Sequence, residues 1–496
     1  MLLITAVWLG LGGCAVGPDF HRPAAPKVTG YTAKPLAEKT ASADVAGGQA
    51  QLFLQGEDIP AEWWTLFHST SLNQLVKEAL KANPDLKAAK AALVQAQENT
   101  YAAEGVFFPS LDAKGSALRQ KTSGALFGSA TGGSSKFNLF NASVDVSYVF
   151  DVFGGERRNV ESLQAQAESE RYQLEAAYLT LTANVVTAAI QEASLRGQIA
   201  ATQEIADAEK QQLDMLQQQF DLGGASMTNV LAQKTRLAQT RATMPALKKK
   251  LALIRNQLTA LSGRFPSQDN GSVFKLSTLH LPHKLPVSLP SRLVQQRPDI
   301  RSAEAQLHSA SARIGVATAD FFPKFTISGS YGTVATSAGN LFSPGTGIWN
   351  IGTNLLQPII HGGSAIHNRR AAVAAYKKVA AQYQSTVLTA FRNVADALRS
   401  LEADADALQA QNQAVKAAAE QLDMAREQFR VGAINHLSLL DAERDYEQVR
   451  INLVQAQASR YADTAALFQA LGGGWWNRPG ATGVEPVTQN VADGKP

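Results

Sequence analysis

The chain has 496 residues, 45% of them apolar but only 7% aromatic, with a formal net charge of +4 and a single cysteine. One cysteine excludes an internal disulfide and a thiolate metal cluster. So small and dispersed a charge argues against nucleic acid as a partner, and the main basic run, Lys248-Lys249-Lys250, reads as a solvated helix face.

The chain opens on a short apolar run closed by Leu11-Gly12-Gly13-Cys14. This resembles the lipobox of bacterial lipoproteins, with residues 1–13 as signal peptide and Cys14 as the acylated N-terminus. No Lys or Arg precedes the run, which points to a start codon upstream. Ala15, rather than Asp, follows the cysteine, which in such lipoproteins favours the outer membrane. One acyl chain binds a membrane weakly, so a second attachment is expected. Residues 14–60, rich in Pro, Ala, Gly and polar side chains, predict an extended arm.

From residue 61 the chain contains itself twice. Asn83-Pro84-Asp85-Leu86, running to Phe107-Phe108-Pro109, returns 214 residues later as Arg297-Pro298-Asp299-Ile300, running to Phe321-Phe322-Pro323. Gly154-Gly155 answers Gly362-Gly363, and Leu213-Asp214-Met215 answers Leu422-Asp423-Met424. The first repeat, 61–265, predicts a helix, strands near 109–120 and 137–151, a long helix 156–221 and a helix 226–262. A linker, 266–286, follows. The second repeat, 287–474, predicts a helix, strands near 323–335 and 347–357, a long helix 364–431 and a helix 435–471. Residues 475–496 read as a polar tail.

The helices are predicted from alternating steps of three and four. Val387, Phe391, Val394, Leu398, Leu401, Ala405 and Leu408 form one such seam, and Met244, Leu247, Leu251, Ile254, Leu258 and Leu261 another. Leu174, Tyr178, Leu181 and Val185 show it in the first copy. Each long helix would measure on the order of 100 Å. Gly223 and Gly432 stand where C-terminal caps belong, and Pro245 predicts a kink. The strands alternate with period two: Phe140, Ala142, Val144, Val146, Tyr148 and Phe150 against Asn141, Ser143, Asp145 and Ser147. No apolar run outside the N-terminus is long enough for a transmembrane helix. Four strands are too few to close a membrane barrel, and an open edge in lipid is costly. Strands that cross a membrane must then be shared among several chains.

At this point the chain resembles the outer membrane efflux proteins of the TolC superfamily, and within it the OprM/NodT-type lipoproteins. The carrying residues are the lipobox with Gly17-Pro18-Asp19-Phe20, Trp63-Trp64-Thr65-Leu66-Phe67, Gln296-Arg297-Pro298-Asp299-Ile300, Phe322-Pro323, Leu437-Ser438-Leu439-Leu440-Asp441-Ala442 and Ala470-Leu471-Gly472-Gly473-Gly474-Trp475. His68-Ser69 departs from the Gly-Asp such proteins often carry. The resemblance implies an α+β membrane protein. Three chains, four strands each, would form a 12-stranded outer membrane β-barrel continuous with a long periplasmic α-helical barrel. The two repeats would be the halves of each protomer.

It further implies a passive duct completing a tripartite efflux pump for drugs or other small molecules. The expected partners are two more copies of the chain, a periplasmic adaptor, an inner membrane pump of the resistance-nodulation-division type and outer membrane lipid. The turns at Gly223-Gly224 and Gly432 would form the periplasmic tip that meets the adaptor. Leu437 and Asp441, one helical turn apart, would form the gate as two rings of three. Ser438 stands where some related channels have a further acid, and Asp441 could instead pair with Arg444. A type I protein secretion duct and a pore-less periplasmic coiled-coil spacer are the alternatives. No nucleophile elbow, P-loop, zinc-protease or dinucleotide motif occurs. His361 and His367 lack metal-site spacing, and no cofactor is expected beyond the lipid on Cys14.

Overall fold

The computed structural model describes residues 15–123 and 134–479. In chain order its elements are β1 (Leu52–Gln55), α1 (Thr70–Ala82), α2 (Pro84–Glu104), β2 (Ser110–Ser123), β3 (Ser134–Phe150), α3 (Gly155–Asp221) and α4 (Met227–Leu261). There follow β4 (Lys284–Val287), α5 (Pro290–Gln296), α6 (Pro298–Ala319), β5 (Lys324–Ala335), β6 (Gly347–Leu356), α7 (Ser364–Arg430) and α8 (His436–Ala470). The helices α3 and α7 have 67 residues each, and α4 and α8 have 35 each. Among the described residues no helix is long and apolar enough to cross a membrane.

The same joint is built twice from different side chains. Asn83 accepts the Leu86 N–H at 3.1 Å and donates to the Leu261 carbonyl at 3.0 Å. Arg297 forks onto Asp299 at 3.0 and 2.6 Å and donates to the Ala470 carbonyl at 2.7 Å. Leu261 and Ala470 are the last residues of α4 and α8. In both copies the X-Pro-Asp motif opens a helix with proline at its first position, where a missing N–H is harmless, and ties that opening to a helix end.

Residue contacts divide the chain into two compact units that cut across the repeats. One holds the described residues up to Pro23, with Ala92–Arg171 and Ser302–Gln384. The other holds Ala24–Ala91, Tyr172–Arg301 and the chain from Ser385.

The first unit contains a four-stranded antiparallel sheet in the order β2-β3-β5-β6. Its register aligns apolar residues into rows: Leu111, Val146, Gly329 and Ile351; Ala113, Val144, Tyr331 and Trp349; Phe150, Phe325 and Leu355. The alternate rows are polar, such as Asp112, Asp145, Ser330 and Asn350, and Lys114 pairs with Asp145 at 3.0 Å across them. The apolar face is open, with Trp349 and Ile351 each 74% exposed. Strands β2 and β6 are the edges. The helices α2, α3, α6 and α7 all join the sheet at one end, where Ser110, Phe150, Lys324 and Leu356 lie. Asp151 fixes one junction by accepting the Glu156 and Arg157 N–H groups at 3.1 and 2.9 Å at the start of α3.

The second unit is a helical bundle around a tryptophan-rich core. Trp63 and Trp64 are fully buried, with Trp63 5.5 Å from Phe468 and Trp64 6.3 Å from Tyr178 by ring centroid. The Gly472-Gly473-Gly474 run takes left-handed φ values of 97°, 67° and 70°. A Cβ on Gly473 would lie 2.3 Å from Leu179 Cδ1, so the motif is three glycines because the chain must turn against α3. The seam predicted along α7 is buried from Val394 through Leu408. At His68-Ser69, His68 is left-handed with φ 48°, and Ser69 caps α1 by accepting the Leu72 N–H at 3.4 Å.

One expectation is corrected. The tail predicted over 475–496 begins as an ordered turn, Trp475–Asn477, because Trp475 is buried and its indole N–H donates to the Gln296 carbonyl at 2.6 Å. The arm over 14–60 and the linker over 266–286 are not featureless. Strands β1 and β4 within them pair in parallel, Leu52 opposite Lys284. Helix α4 runs from Met227 to Leu261 with Pro245 inside it.

Candidate functional site

Both long helices end in the same turn. At the end of α3, the Gly223 and Gly224 N–H groups donate to Phe220 and Gln219 carbonyls at 2.9 and 2.7 Å, and Gly223 has φ 77°. At the end of α7, the Gly432 and Ala433 N–H groups donate to Phe429 and Gln428 at 3.0 and 2.8 Å, and Gly432 has φ 75°. This double hydrogen bond around a left-handed residue satisfies carbonyls a helix end otherwise leaves open. Ser226 then caps α4 through the Asn229 N–H at 3.3 Å, and Asn435 caps α8 through the Ser438 N–H at 2.9 Å.

Leu437 is the second residue of α8 and is 66% exposed. The adjacent core, Leu422, Ala425, Leu439 and Ala442, takes the opposite side of the hairpin, with Phe429, Ile434 and Tyr446 against it. Asp441 is also exposed and stands 3.6 Å from Arg444, which stands 3.7 Å from Asp445. A long ion pair between exposed groups contributes little, so the carboxylate of Asp441 remains available. Cys14 lies outside the described residues. The chain directly after it is tied down within the first unit. Val16 N–H donates to the Phe153 carbonyl at 3.0 Å, and Phe20 stacks on His308 at 4.4 Å. Arg158 holds Asp19 at 2.6 Å, and its guanidinium lowers the Asp19 carboxyl from its ordinary value.

Farther along the same hairpin from Leu437 and Asp441 lies a charge cluster that the sequence reading did not single out. Arg236 of α4 pairs with Glu209 of α3 at 3.0 Å and with Glu447 of α8. Thr240 donates to Glu209 at 2.9 Å, and the Gln233 amide donates to the Glu209 carbonyl at 3.0 Å. With its amide turned to match its surroundings, Gln212 donates to both carboxylate oxygens of Glu443 at 3.0 and 2.8 Å. Two glutamates thus share one central guanidinium, and Glu443 lies close enough to feel it. Burial pushes Glu443 up to about 7, with Arg426 and Arg236 opposing and Glu209 adding. Burial also raises Glu447 to about 7, opposed by Arg236 and reinforced by Glu209 and Glu443. The only signal in the sequence was Glu443 and Glu447 at i and i+4, a like-charge pair that a helix tolerates poorly without a partner. Asp404 of α7 lies beside Asp463 of α8. Burial, then Asp463, raise it to about 7.

The sequence profile described as outer membrane efflux protein matches the chain twice, over residues 75–264 and 289–473. The chain belongs to this family. Among its relatives, the probable efflux pump outer membrane protein TtgC of Pseudomonas putida is 30% identical over 477 residues, 95% of this chain and 94% of the relative. The cation efflux system protein CusC of Escherichia coli is 26% identical over 473 residues, 95% and 99% of the two chains. The outer-membrane channel OprN superposes with a TM-score of 0.83 at 27% identity, covering 93% of this chain and all of that one. A crystal structure of CusC gives 0.79 at 25% identity, covering 92% and 100%. The efflux protein is the outer membrane channel component of an efflux pump.

Proposed function

We propose that three copies of this chain close one outer membrane barrel of twelve strands, continuous with a periplasmic barrel of helices, and serve as the passive exit duct of a tripartite pump. The observation that carries this reading is the open sheet of the first unit. It has four strands, an exposed apolar face, a polar reverse face and two free edges. Free strand edges cannot face lipid, and the smallest membrane barrels have about eight strands. Sharing the sheet among subunits removes every edge and turns the polar face into a lumen. The two repeats supply two strands each, and neither could close a barrel alone.

An acyl chain on Cys14 would add a lipid anchor beside the segment held by Arg158. The turns at Gly223, Gly224 and Gly432 would meet a periplasmic adaptor, with a pump of the resistance-nodulation-division type in the inner membrane. Leu437 and Asp441 would narrow the tip, the leucines by dewetting and the carboxylates by selecting cations. The exported compounds are small molecules. Relatives serve toluene efflux in one case and cation efflux in another, which suits a duct whose selectivity is set by the pump.

The full-length protein, extracted from outer membranes, should migrate as a detergent-stable oligomer that falls to monomer on heating. In planar bilayers it should give a small cation-preferring conductance that rises in Leu437→Ala/Asp441→Ala. A monomer without conductance refutes the duct. Unchanged conductance in the double variant removes the gate assignment alone.

A further inference from the structure

The junction between β6 and α7 differs in chemistry from its counterpart between β3 and α3. Ile359 and Ile360, just past the end of β6, are each 87% exposed. They continue the apolar end of the sheet, where Leu355 and Leu356 are also exposed. Immediately beyond come His361, then His367, Arg369, Arg370, Lys377 and Lys378 along the start of α7, all exposed. From residue 321 to residue 395 the chain has no Asp or Glu. None of Arg369, Arg370, Lys377 or Lys378 makes an ion pair among the described residues.

The first copy carries the opposite charge at the same places. The helices α3 and α7 have equal length, and residues 209 apart occupy equal positions in them. Arg370 and Lys377 therefore correspond to Glu161 and Glu168, and Ile360 to Asp151. In the first copy these acids have work at the junction: Asp151 caps α3, and Glu161 holds Arg158 at 2.7 Å and His308 at 2.8 Å. At those places the second copy has the exposed Ile360 and the unpaired cations Arg370 and Lys377.

We propose that Ile359, Ile360 and the basic start of α7 form a binding surface for anionic phospholipid headgroups at the inner rim of the outer membrane. The inference rests on the membrane placement given above. The apolar face of the sheet ends at this junction, so the isoleucines sit where acyl chains meet headgroups. Arg369 and Arg370 lie five and six residues into α7, roughly 8–9 Å along its axis, which is the depth of a headgroup layer. Their long stems can reach back toward phosphate. Lys377 and Lys378 are roughly 12 Å farther and add only screened, longer-range attraction. Charge complementarity and continuity with the lipid-facing sheet both select an anionic phospholipid as occupant.

The test uses full-length protein reconstituted in phosphatidylcholine vesicles with spin-labelled phosphatidylglycerol or spin-labelled phosphatidylcholine as probe. The wild type should bind the phosphatidylglycerol label about four-fold more strongly than the phosphatidylcholine label at ~0.1 M salt. Arg369→Gln/Arg370→Gln/Lys377→Gln/Lys378→Gln should bring the ratio to about one, with the heat-modifiable oligomer intact. Should the quadruple variant fail to assemble, Arg369→Gln/Arg370→Gln should still cut the preference at least by about half. Equal binding of the two labels by a conducting wild-type protein overturns the proposal. So does a changed ion selectivity in the variant with lipid preference retained, which would put these charges in the lumen. A wild type that neither inserts nor conducts overturns the outer membrane reading first, and this surface with it.

Discussion

Replacing Glu443 with Gln should strengthen the hold on α8, increasingly as pH rises from about 4.5 to about 7. The wild-type carboxyl, raised from 4.5 to about 7 by burial, is protonated in the folded chain at pH values where it is ionised in the unfolded one. Its contribution is therefore full below about 4.5, is lost as pH rises to about 7, and stays lost above. An undiscounted shift of that size corresponds to about 3.4 kcal/mol. Glu443 is not fully enclosed and shares its field with Glu209, Glu447, Arg236 and Arg426, so about 2 kcal/mol is the figure to expect after screening. Glutamine keeps the shape of the neutral acid and removes that penalty. A change of about 2 kcal/mol is roughly a 30-fold change in a local opening equilibrium. Hydrogen exchange of full-length protein, corrected for intrinsic pH dependence, should show amides of residues 439–450 opening about 30-fold less often in Glu443→Gln at pH 8.5. The effect should shrink to about four-fold near pH 5. Equal slowing at both pH values, or faster opening at pH 8.5, would refute the argument that burial of a charge governs this site.

Three further outcomes test the neighbouring contacts. Arg236→Met leaves Glu209 and Glu447 without their shared guanidinium, and should lower stability by about 3–5 kcal/mol at pH 8 and by clearly less at pH 5.5, read from thermal unfolding at the two pH values. Gly473→Ala must place a methyl 2.3 Å from Leu179 Cδ1 on a left-handed backbone, and should cost about 3 kcal/mol, seen as a lower melting temperature. His68→Gly relieves a φ of 48° but adds freedom to the unfolded chain, so the melting temperature should move by no more than the equivalent of about 1 kcal/mol.

What the sequence disclosed and what it hid follow from the range of the interactions. The helices α3 and α7 were legible because their seams and glycine stops are local signals. So was most of the sheet, whose period-two alternation is plain in β3, β5 and β6 and weak in β2. The pairing of β1 with β4 was not legible, since four-residue strands carry too little pattern and their partner lies over 200 residues away. The order of Trp475 was hidden for the same reason: its contact is the Gln296 carbonyl. The glutamate cluster escaped because each acid, taken alone on an amphipathic helix, looks solvated. Only three-helix packing brings Glu209, Glu443 and Glu447 to Arg236. Leu437 and Asp441 were found by resemblance to a family motif, not by periodicity, which alone would have given them ordinary packing and pairing.

The two copies also show where a duplicated hairpin has diverged. With α4 and α8 equal in length, Leu437 corresponds to Thr228 and Asp441 to Ala232. Gln233, the nearest polar side chain to the second position by sequence, corresponds instead to Ala442, and both are buried. The positions of α4 equivalent to Leu437 and Asp441 thus have neither the apolar nor the acidic side chain, although the cap and turn are of the same kind as those of α8. If those two side chains, and not the hairpin, make the constriction, then Leu437→Thr/Asp441→Ala, which gives α8 the side chains of α4, should raise single-channel conductance at least about two-fold and weaken cation preference. The reverse exchange, Thr228→Leu/Ala232→Asp, should leave conductance within about 20%, because a tip already narrowed by the leucines of α8 limits the current. A planar bilayer measurement decides it. Conductance lost in the reverse exchange would mean that α4 lines the constriction as closely as α8, and that the asymmetry of the copies is one of charge alone.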